Sequence, residues 1–491
     1  MNIADYVLYH ARFSPQKPAL AFTGGVATYG MMGSAIHASA NRIREAGLRP
    51  GGLVAIDVRN PFHHLVIIFA LERCGLTSVS VHTSFTVTVS GLKPVAVILD
   101  RFGSPIPGAG TVAVDDDWFI LDPVEPSADG PGIAEDQYQR VFLSSGTTGV
   151  PKAVGLSTRV MERRIMDGIV WSSGGDRALT MAGFSTVGAI GPLFTLASGG
   201  LACFAPNPEE TLHLIRLFNI TQVTAMAGQL QGLIEQQTKN FEPCPSLQRL
   251  TVGGSQVPEP LLSGARSLLC SNLVLAYGTT ETGVVAYGRA AAVMGADVTG
   301  ADGAVGYVAP WAKVEAVDDA GVKLAAGQTG RLRLWSDKTA EYVAERPEDR
   351  AVLTADGWFY PGDIGLVREN GLLAVSGRAN ELINRGGAIV APQLIEDVLM
   401  ERAEIAQAGV FEVGSDGGFP QIWAAVVPKE GFDEEKIFRF CRHRLGDKTP
   451  DVLVPVDDIP RTDTGKIIRH RLREIAVQRR NRAPGGGGQQ S

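Results

Sequence analysis

The run Ser144-Ser145-Gly146-Thr147-Thr148-Gly149-Val150-Pro151-Lys152 follows directly on the apolar residues Val141-Phe142-Leu143. A buried strand feeding such a loop supplies converging backbone N–H groups at the glycines, further donors at the hydroxyls and a positive charge at the lysine. Together these cradle a phosphate. The loop is not of the Walker type, because Val150-Pro151 separates Gly149 from Lys152, and a GTPase-like switch is set aside on that ground. Two further stretches, Val252-Gly253-Gly254-Ser255 and Tyr277-Gly278-Thr279-Thr280-Glu281-Thr282-Gly283, add a glycine turn with room for a flat ring against backbone. An aromatic side chain nearby can stack on that ring. Glu281 is a hard oxygen donor suited to a Mg2+ ion that keeps its water and bridges phosphates. In Pro460-Arg461-Thr462-Asp463-Thr464-Gly465-Lys466, a lysine on a glycine-containing loop can enter a pocket and neutralise charge developing on a phosphate.

These motifs need a scaffold, and the apolar pattern provides one. Leu53 to Ile56 and Val95 to Leu99 are short strands apolar on both faces, as a parallel sheet between helix layers requires, with helical segments at Ile36 to Glu45 and Leu65 to Arg73. The fold class expected is α/β, a large N-terminal domain of doubly wound α/β subdomains. From Ala304 to Val375 the texture changes to short β-like runs separated by Asp-Asp-Ala-Gly and Gln-Thr-Gly, which predicts an antiparallel, β-barrel-like subdomain. A small α+β C-terminal domain is expected after Ser376-Gly377-Arg378. The division predicted is 1–376, 377–483, and a glycine-rich flexible tail over 484–491. Ala178 to Asn207 contains no charged residue, yet its glycines and prolines break it into short runs, so a buried strand-turn-helix is expected rather than a transmembrane segment.

Composition narrows the partners. Lys+Arg 45 against Asp+Glu 52 gives a net charge of −7, a poor basis for binding nucleic acid. The five cysteines are scattered, with no C-x-x-C pair, which argues against a disulfide framework or a zinc site and fits a reducing, cytoplasmic compartment. Glycine accounts for 58 of 491 residues, well above the usual ~7 per cent, so many tight turns or close backbone approaches are implied.

The phosphate loop resembles that of the adenylate-forming (ANL) superfamily, most of all the acyl-CoA synthetases, and the resemblance runs in order along nearly the whole chain. It implies that Ser145, Gly146, Thr147, Thr148, Gly149 and Lys152 hold the ATP phosphates, that Gly254, Ser255 and Tyr277 receive adenine, that Thr279 contacts the α-phosphate, and that Gly278 and Thr280 belong to the same nucleotide-binding turn. Glu281 is then the Mg2+ ligand, and Lys466 the lysine of the adenylation step. Gly357-Trp358-Phe359-Tyr360-Pro361-Gly362-Asp363 resembles the ribose-binding segment, where Asp363 accepts from both hydroxyls, although Pro361 stands where threonine is commoner. Arg378 is implied at ribose or phosphate, Asn380 at the hinge of a mobile C-terminal domain, and Gly386-Gly387 beside the pantetheine arm of CoA. The implied catalytic set is Lys466, Glu281, Thr147 and Arg378. By alignment the acid lies against Phe184, Ser185, Val187, Gly188 and Gly228. Ser185 stands where amino-acid-activating members keep an aspartate, and an unpaired buried ammonium is costly, which disfavours an amino-acid substrate. The small, mostly apolar surroundings suit a fatty or aromatic acid. The basic residues from Arg469 to Arg482 are expected to form a solvated helix end.

The expectation is an ATP-dependent acid:CoA ligase with ATP, Mg2+ and coenzyme A as its cofactors and a small carboxylate as substrate. A homodimer is compatible with the sequence. Two alternatives stay open: an enzyme that loads a carrier-protein thiol, and a non-catalytic nucleotide-binding member of the same superfamily, which the intact Lys466, Glu281 and Asp363 oppose.

Overall fold

The structure, a computed structural model, describes residues 3–81, 86–119, 134–144, 152–170, 172–205, 207–254, 257–295, 303–342, 353–385, 388–414, 420–461 and 466–482. The expectations for Ser145, Gly146, Thr147, Thr148, Gly149, Ser255, Gly386 and Gly387 lie outside the described residues.

Two large sheets form the N-terminal domain. The first is built from β1 (Leu53–Asp57), α1 (Pro61–Arg73), β2 (Thr77–Ser80), β3 (Ala96–Leu99), β4 (Tyr138–Ser144) and β5 (Lys152–Ser157). Strands β1, β2, β3 and β4 run parallel, and β5 turns back antiparallel on β4 with Ser144 opposite Lys152. The phosphate-loop motif therefore connects two paired strands. Helix α1 begins where Asn60 Oδ1 accepts from the Phe62 and His63 N–H groups and Pro61 presets the first turn. Apolar on almost every side, it is buried between layers.

The second sheet follows α2 (Thr158–Val170), with β6 (Arg177–Thr180), α3 (Ile190–Ala197), β7 (Leu201–Phe204), α4 (Pro208–Leu217), β8 (Gln222–Met226), α5 (Ala227–Lys239), β9 (Arg249–Gly253), α6 (Glu259–Leu268) and β10 (Leu273–Thr279). Its parallel centre has the order β7-β6-β8-β9-β10. Leu179, Val223, Leu250, Val252 and Leu275 on one face pack with Leu214, Leu230, Leu233 and Leu262 of α4, α5 and α6. The charge-free segment expected as a strand-turn-helix is β6, α3 and β7, and among the described residues no helix is long and apolar enough to cross a membrane.

Beyond β10 the sheet continues antiparallel through β11 (Gly283–Arg289), β12 (Ala304–Val308), β13 (Asp363–Val367) and β14 (Leu372–Arg378), in the order β10-β11-β12-β14-β13. The β-barrel-like texture of residues 304–375 is this antiparallel continuation, closed on a small core that includes Val285, Val314, Leu332, Phe359 and Leu373. The boundary expected at 376–377 falls within β14, whose pairing with β13 runs on to Arg378 opposite Asp363. The smaller C-terminal domain has its own core around Ile395, Leu399, Val410, Ala424, Ile437 and Leu453. It comprises α7 (Pro392–Met400), β15 (Ile405–Val413), β16 (Gln421–Pro428), α8 (Glu434–Leu445), β17 (Val452–Pro455) and α9 (Arg469–Arg482).

A buried polar knot joins the first sheet to the segment before α3. Arg140 on β4 donates to Ser78 Oγ at 3.1 Å, to Ser80 Oγ at 2.8 Å and to the Phe184 carbonyl at 2.5 Å. His64 on α1 lies 2.8 Å by Nδ1 from the Val58 carbonyl and 2.6 Å by Nε2 from Ser80 Oγ. A carbonyl only accepts, so Nδ1 carries the proton, and in the neutral ring Nε2 accepts from the serine. Burial first, and then the Arg140 charge, push His64 down to about 3 against the opposing bond to Val58. As pH falls below the ordinary 6.5, the unfolded chain takes up a proton that the folded ring refuses. Stability is therefore lost progressively through that window, by about 2 kcal/mol from this group at pH 5. Urea midpoints at pH 7 and pH 5 should show a larger loss for the native chain than for His64→Gln. Equal losses would contradict the assignment.

Candidate active site

The β10–β11 hairpin carries the Tyr-Gly-Thr-Thr-Glu-Thr-Gly motif at the carboxyl end of a central parallel strand, where open α/β sheets place their ligands. Its turn is tied by Thr279 Oγ1, which accepts from the Thr282 N–H at 3.1 Å. Gly278 is required by contact: a Cβ there would fall 2.1 Å from the Gly283 carbonyl oxygen, which belongs to the paired strand and cannot move aside alone. Gly278→Ala should cost about 3 kcal/mol in stability, read as a fall in urea midpoint together with loss of nucleotide binding. An unchanged midpoint would refute this reading of the turn. Gly254, at φ +84°, ends the β9 turn in a conformation that side chains avoid, and borders the same space.

Glu281 is 7% exposed. Its backbone is held by Arg164 of α2, whose Nη2 donates to the carbonyls of Thr280 at 3.1 Å, Glu281 at 2.8 Å and Lys338 at 3.0 Å. Burial pulls the Arg164 guanidinium down to about 10, opposed by the Glu281 charge. Lys338, buried beside it, meets Asp167 of α2 and lies 4.3 Å from the Trp311 ring centre. Neither Arg164 nor Lys338 was expected at the site. In sequence Arg164 reads as one of three basic residues on an amphipathic helix.

Asp363 and Arg378 are brought together by strand register, being opposite each other on β13 and β14. Arg378 Nε lies 3.1 Å from Asp363 Oδ1, and the Tyr277 hydroxyl donates to Asp363 Oδ2 at 2.5 Å. Arg378 also donates to the Pro361 carbonyl at 3.3 Å, so the residue standing in place of threonine still contributes an acceptor. Burial, and then the Asp363 charge, raise Tyr277 well above the ordinary phenol value, which keeps it a donor.

Lys466 comes to this cluster from the other domain. Burial and the Arg378 charge lower its ammonium below the ordinary 10.5, while Asp363, Glu281 and Glu381 pull the other way. Behind it Arg469, expected in a solvated helix end, is instead half-buried and held in ion pairs. It donates to Glu381 at 2.9 Å and to Glu396, which itself accepts from the Val410 N–H at 2.8 Å. Because Glu381 ends the short turn Ala379–Glu381 that contains Asn380, Arg469 ties the lysine loop to the expected hinge.

A cleft of about 1600 Å³ joins these groups. Lys152, Gly254, Thr279, Thr280 and Glu281 border it, as do Asp363, Arg378 and Lys466. Val187, Gly188 and Gly228, expected at the acid, also border it. Phe184 and Ser185 do not. The Phe184 ring stacks on His64 with centroids 4.4 Å apart, and buried Ser185 accepts from the Leu143 N–H at 2.8 Å, so both anchor the segment to the first sheet instead of facing the cleft. Loop register, which sequence spacing does not fix, decides this. Among the described residues no group of three acidic, histidine or cysteine side chains converges. Glu281, a hard oxygen donor bordering the cleft, has the chemistry to hold a Mg2+ that takes its other ligands from phosphates and water.

Residues 8–341 match the family described as AMP-binding enzyme, and residues 394–466 match the AMP-binding enzyme C-terminal domain. An indoleacetate–CoA ligase from Aromatoleum aromaticum is 26% identical, covering 98% of this chain and 99% of its own. A fatty acid–[acyl-carrier-protein] ligase, ScoC, from Streptomyces coeruleorubidus is 25% identical, covering 95% of each. The structure of the amide bond synthetase McbA from Marinactinospora thermotolerans superposes with a TM-score of 0.83 at 23% identity, over 96% of this chain and 98% of that one, and so shares the fold. With both domains matched over most of their length, the chain belongs to the AMP-binding, adenylate-forming enzyme family and is similar to its acyl-CoA synthetases.

Proposed function

We propose that this chain is an ATP-dependent acid:CoA ligase that works in two half-reactions on one cleft. The observation that carries the reading is that Lys466 of the small domain borders the same cleft as Asp363, Arg378 and Glu281 of the large one. In the first half-reaction a carboxylate oxygen attacks the α-phosphorus and the bond to pyrophosphate breaks, giving an acyl-adenylate. In the second, the CoA thiol sulfur attacks the acyl carbonyl, the bond to AMP breaks, and the thiol proton is lost to solvent.

Neither step needs an enzymic nucleophile; both need positioning and charge stabilisation. Asp363 fixes the ribose through its two hydroxyls, with Arg378 and Tyr277 holding the carboxylate in place. Lys466 offsets the charge that builds between carboxylate and α-phosphate. Mg2+ on Glu281, when bound, neutralises the phosphates. Asn380 serves as the pivot for the C-terminal domain between half-reactions. The acid lies over Val187 and Gly188 and is a fatty or aromatic one.

Loading a carrier-protein thiol shares the first half-reaction and stays in view because of the likeness to ScoC. The test is to supply ATP, Mg2+ and an acid panel, with CoA or a phosphopantetheinylated carrier protein. AMP release and thioester formation are then measured. Thioester on CoA is the expected product; adenylate formation followed by transfer only to the carrier would replace CoA as the acceptor.

A further inference from the structure

The strands β8, β9 and β10 alternate in a way that a parallel sheet buried on both faces does not require. In β9, Leu250 and Val252 enter the dry core, while Arg249, Thr251 and Gly253 take the opposite face. In β8, Val223 and Ala225 enter that core, and Gln222, Thr224 and Met226 face the other way. The register aligns these outward residues in rungs. Met226, Gly253 and Ala276 form the first, nearest the Glu281 turn. Thr180, Thr224, Thr251 and Val274 form the second. Ala178, Gln222 and Arg249 form the third. All three rungs border the cleft.

Four residues of strand separate the first rung from the third, so the wall runs roughly 13 Å along the sheet. Its upper part is Met226, Gly253 and Ala276 above three threonines and Val274, a surface without charge. The opposite wall is closed by α2 and α3, where the absence of a side chain at Gly168 lets the Phe194 ring lie directly against the helix. At the far end stands Arg249, half-buried, donating through Nη2 to the neutral Gln222 side chain. Asp176 is the acidic group that acts on it, and among the described residues no carboxylate comes within ion-pair distance. Arg289, opposite Val274 on β11, adds a second positive charge bordering the cleft. A guanidinium with three or more N–H groups left over, at the end of a sheet wall that carries no other charge, is matched by an anion with planar oxygens.

We infer that the cleft takes carboxylic acids that carry a second acidic group at their far end, and that Arg249 is the residue that selects for it. The inference rests on the ligase reading, since one carboxylate must reach the adenylation end while the other reaches the third rung. A plain fatty or aryl acid fills the channel but leaves the guanidinium without an anionic partner.

The test uses the full native chain and carboxylate-dependent ATP–pyrophosphate exchange, which reads the first half-reaction without any acceptor. Matched pairs are compared: α,ω-dicarboxylic acids against monocarboxylic acids of equal length, and aryl-alkanoic acids with and without a distal carboxylate. A charge-assisted hydrogen bond gives the native chain an expected diacid preference of about ten- to a hundredfold in kcat/KM. In Arg249→Gln that ratio should collapse toward one, while Arg249→Lys, which keeps the charge but loses the fork, should retain part of it. Vigorous exchange with monoacids and no diacid preference overturns this inference and leaves the ligase reading standing. An unchanged ratio in Arg249→Gln overturns it as well. Exchange with none of the acids overturns both. The native-chain comparison decides the question even if a variant fails to fold.

Discussion

Replacing Lys466 by alanine should lower carboxylate-dependent ATP–pyrophosphate exchange by about a hundred- to a thousandfold, the usual cost of deleting one preorganised donor aimed at developing charge. ATP affinity should change little, because Asp363, Arg378, Tyr277 and Lys152 remain in the cleft. The reason lies in where the charge is needed. Attack of a carboxylate on a phosphate brings two anions together, and a cation between them stabilises the transition state more than either ground state. The protein also sets a pH limit on this residue. Burial and Arg378 hold the Lys466 ammonium below its ordinary 10.5, so the protonated, useful form is lost earlier than for a free lysine as pH rises. Exchange in the native chain should therefore fall on the alkaline side at a pH below 10.5. Lys466→Arg, always charged, should keep its residual activity through that limb. If Lys466→Ala exchanges at the native rate, the residue has been assigned wrongly.

Asp363→Asn should raise the KM for ATP by about ten- to a hundredfold, with a smaller effect on the rate at saturation. In the proposed role, two bonds from ribose hydroxyls to a carboxylate become bonds to an amide, each losing its charge assistance. The same change leaves Arg378 without its counter-charge at 3.1 Å and turns an acceptor of the Tyr277 hydroxyl into a potential donor. Because Asn is nearly the same size, the β13–β14 register should hold, and unchanged urea midpoints would show that it does. Isothermal titration with ATP and with a ribose-lacking triphosphate separates the two causes. Loss confined to ATP identifies ribose recognition, whereas equal loss for both would assign Asp363 to positioning Arg378 alone.

Much of this site was legible because motif chemistry is local. The hairpin of Tyr277 to Gly283 carries its own reason for each glycine, and Asp363 follows a turn that any reader of spacing would mark. The pairing of Asp363 with Arg378 is a register fact between two strands and becomes visible only when they are aligned. Arg164 was hidden for another reason: its three carbonyl partners come from residues 280, 281 and 338, so nothing near it in sequence announces its role. Phe184 and Ser185 were expected at the acid because they fall in the aligned segment. A slip of one or two residues in an irregular loop turns a cleft residue into an anchor, and here the Arg140–His64 knot sets that slip. Arg469 looked like one more arginine of a basic helix, and its partial burial follows from its ion pairs with Glu381 and Glu396. The alternation Arg249-Leu250-Thr251-Val252-Gly253 was present in the sequence all along as a strand with one wet face inside a sheet expected to be dry on both.

The two domains bring two cations, Lys466 and Arg378, and two carboxylates, Asp363 and Glu281, to one cleft, and that meeting has no structural purpose as compelling as adenylation. The most direct test is ATP–pyrophosphate exchange by the purified full chain with Mg2+, across fatty, aryl, dicarboxylic and amino acids, with no acceptor present. Exchange that appears only when a carboxylate is added, and vanishes in Lys466→Ala, is the predicted result. Tight ATP binding with no exchange for any acid would contradict the account and leave a nucleotide-binding protein without ligase chemistry.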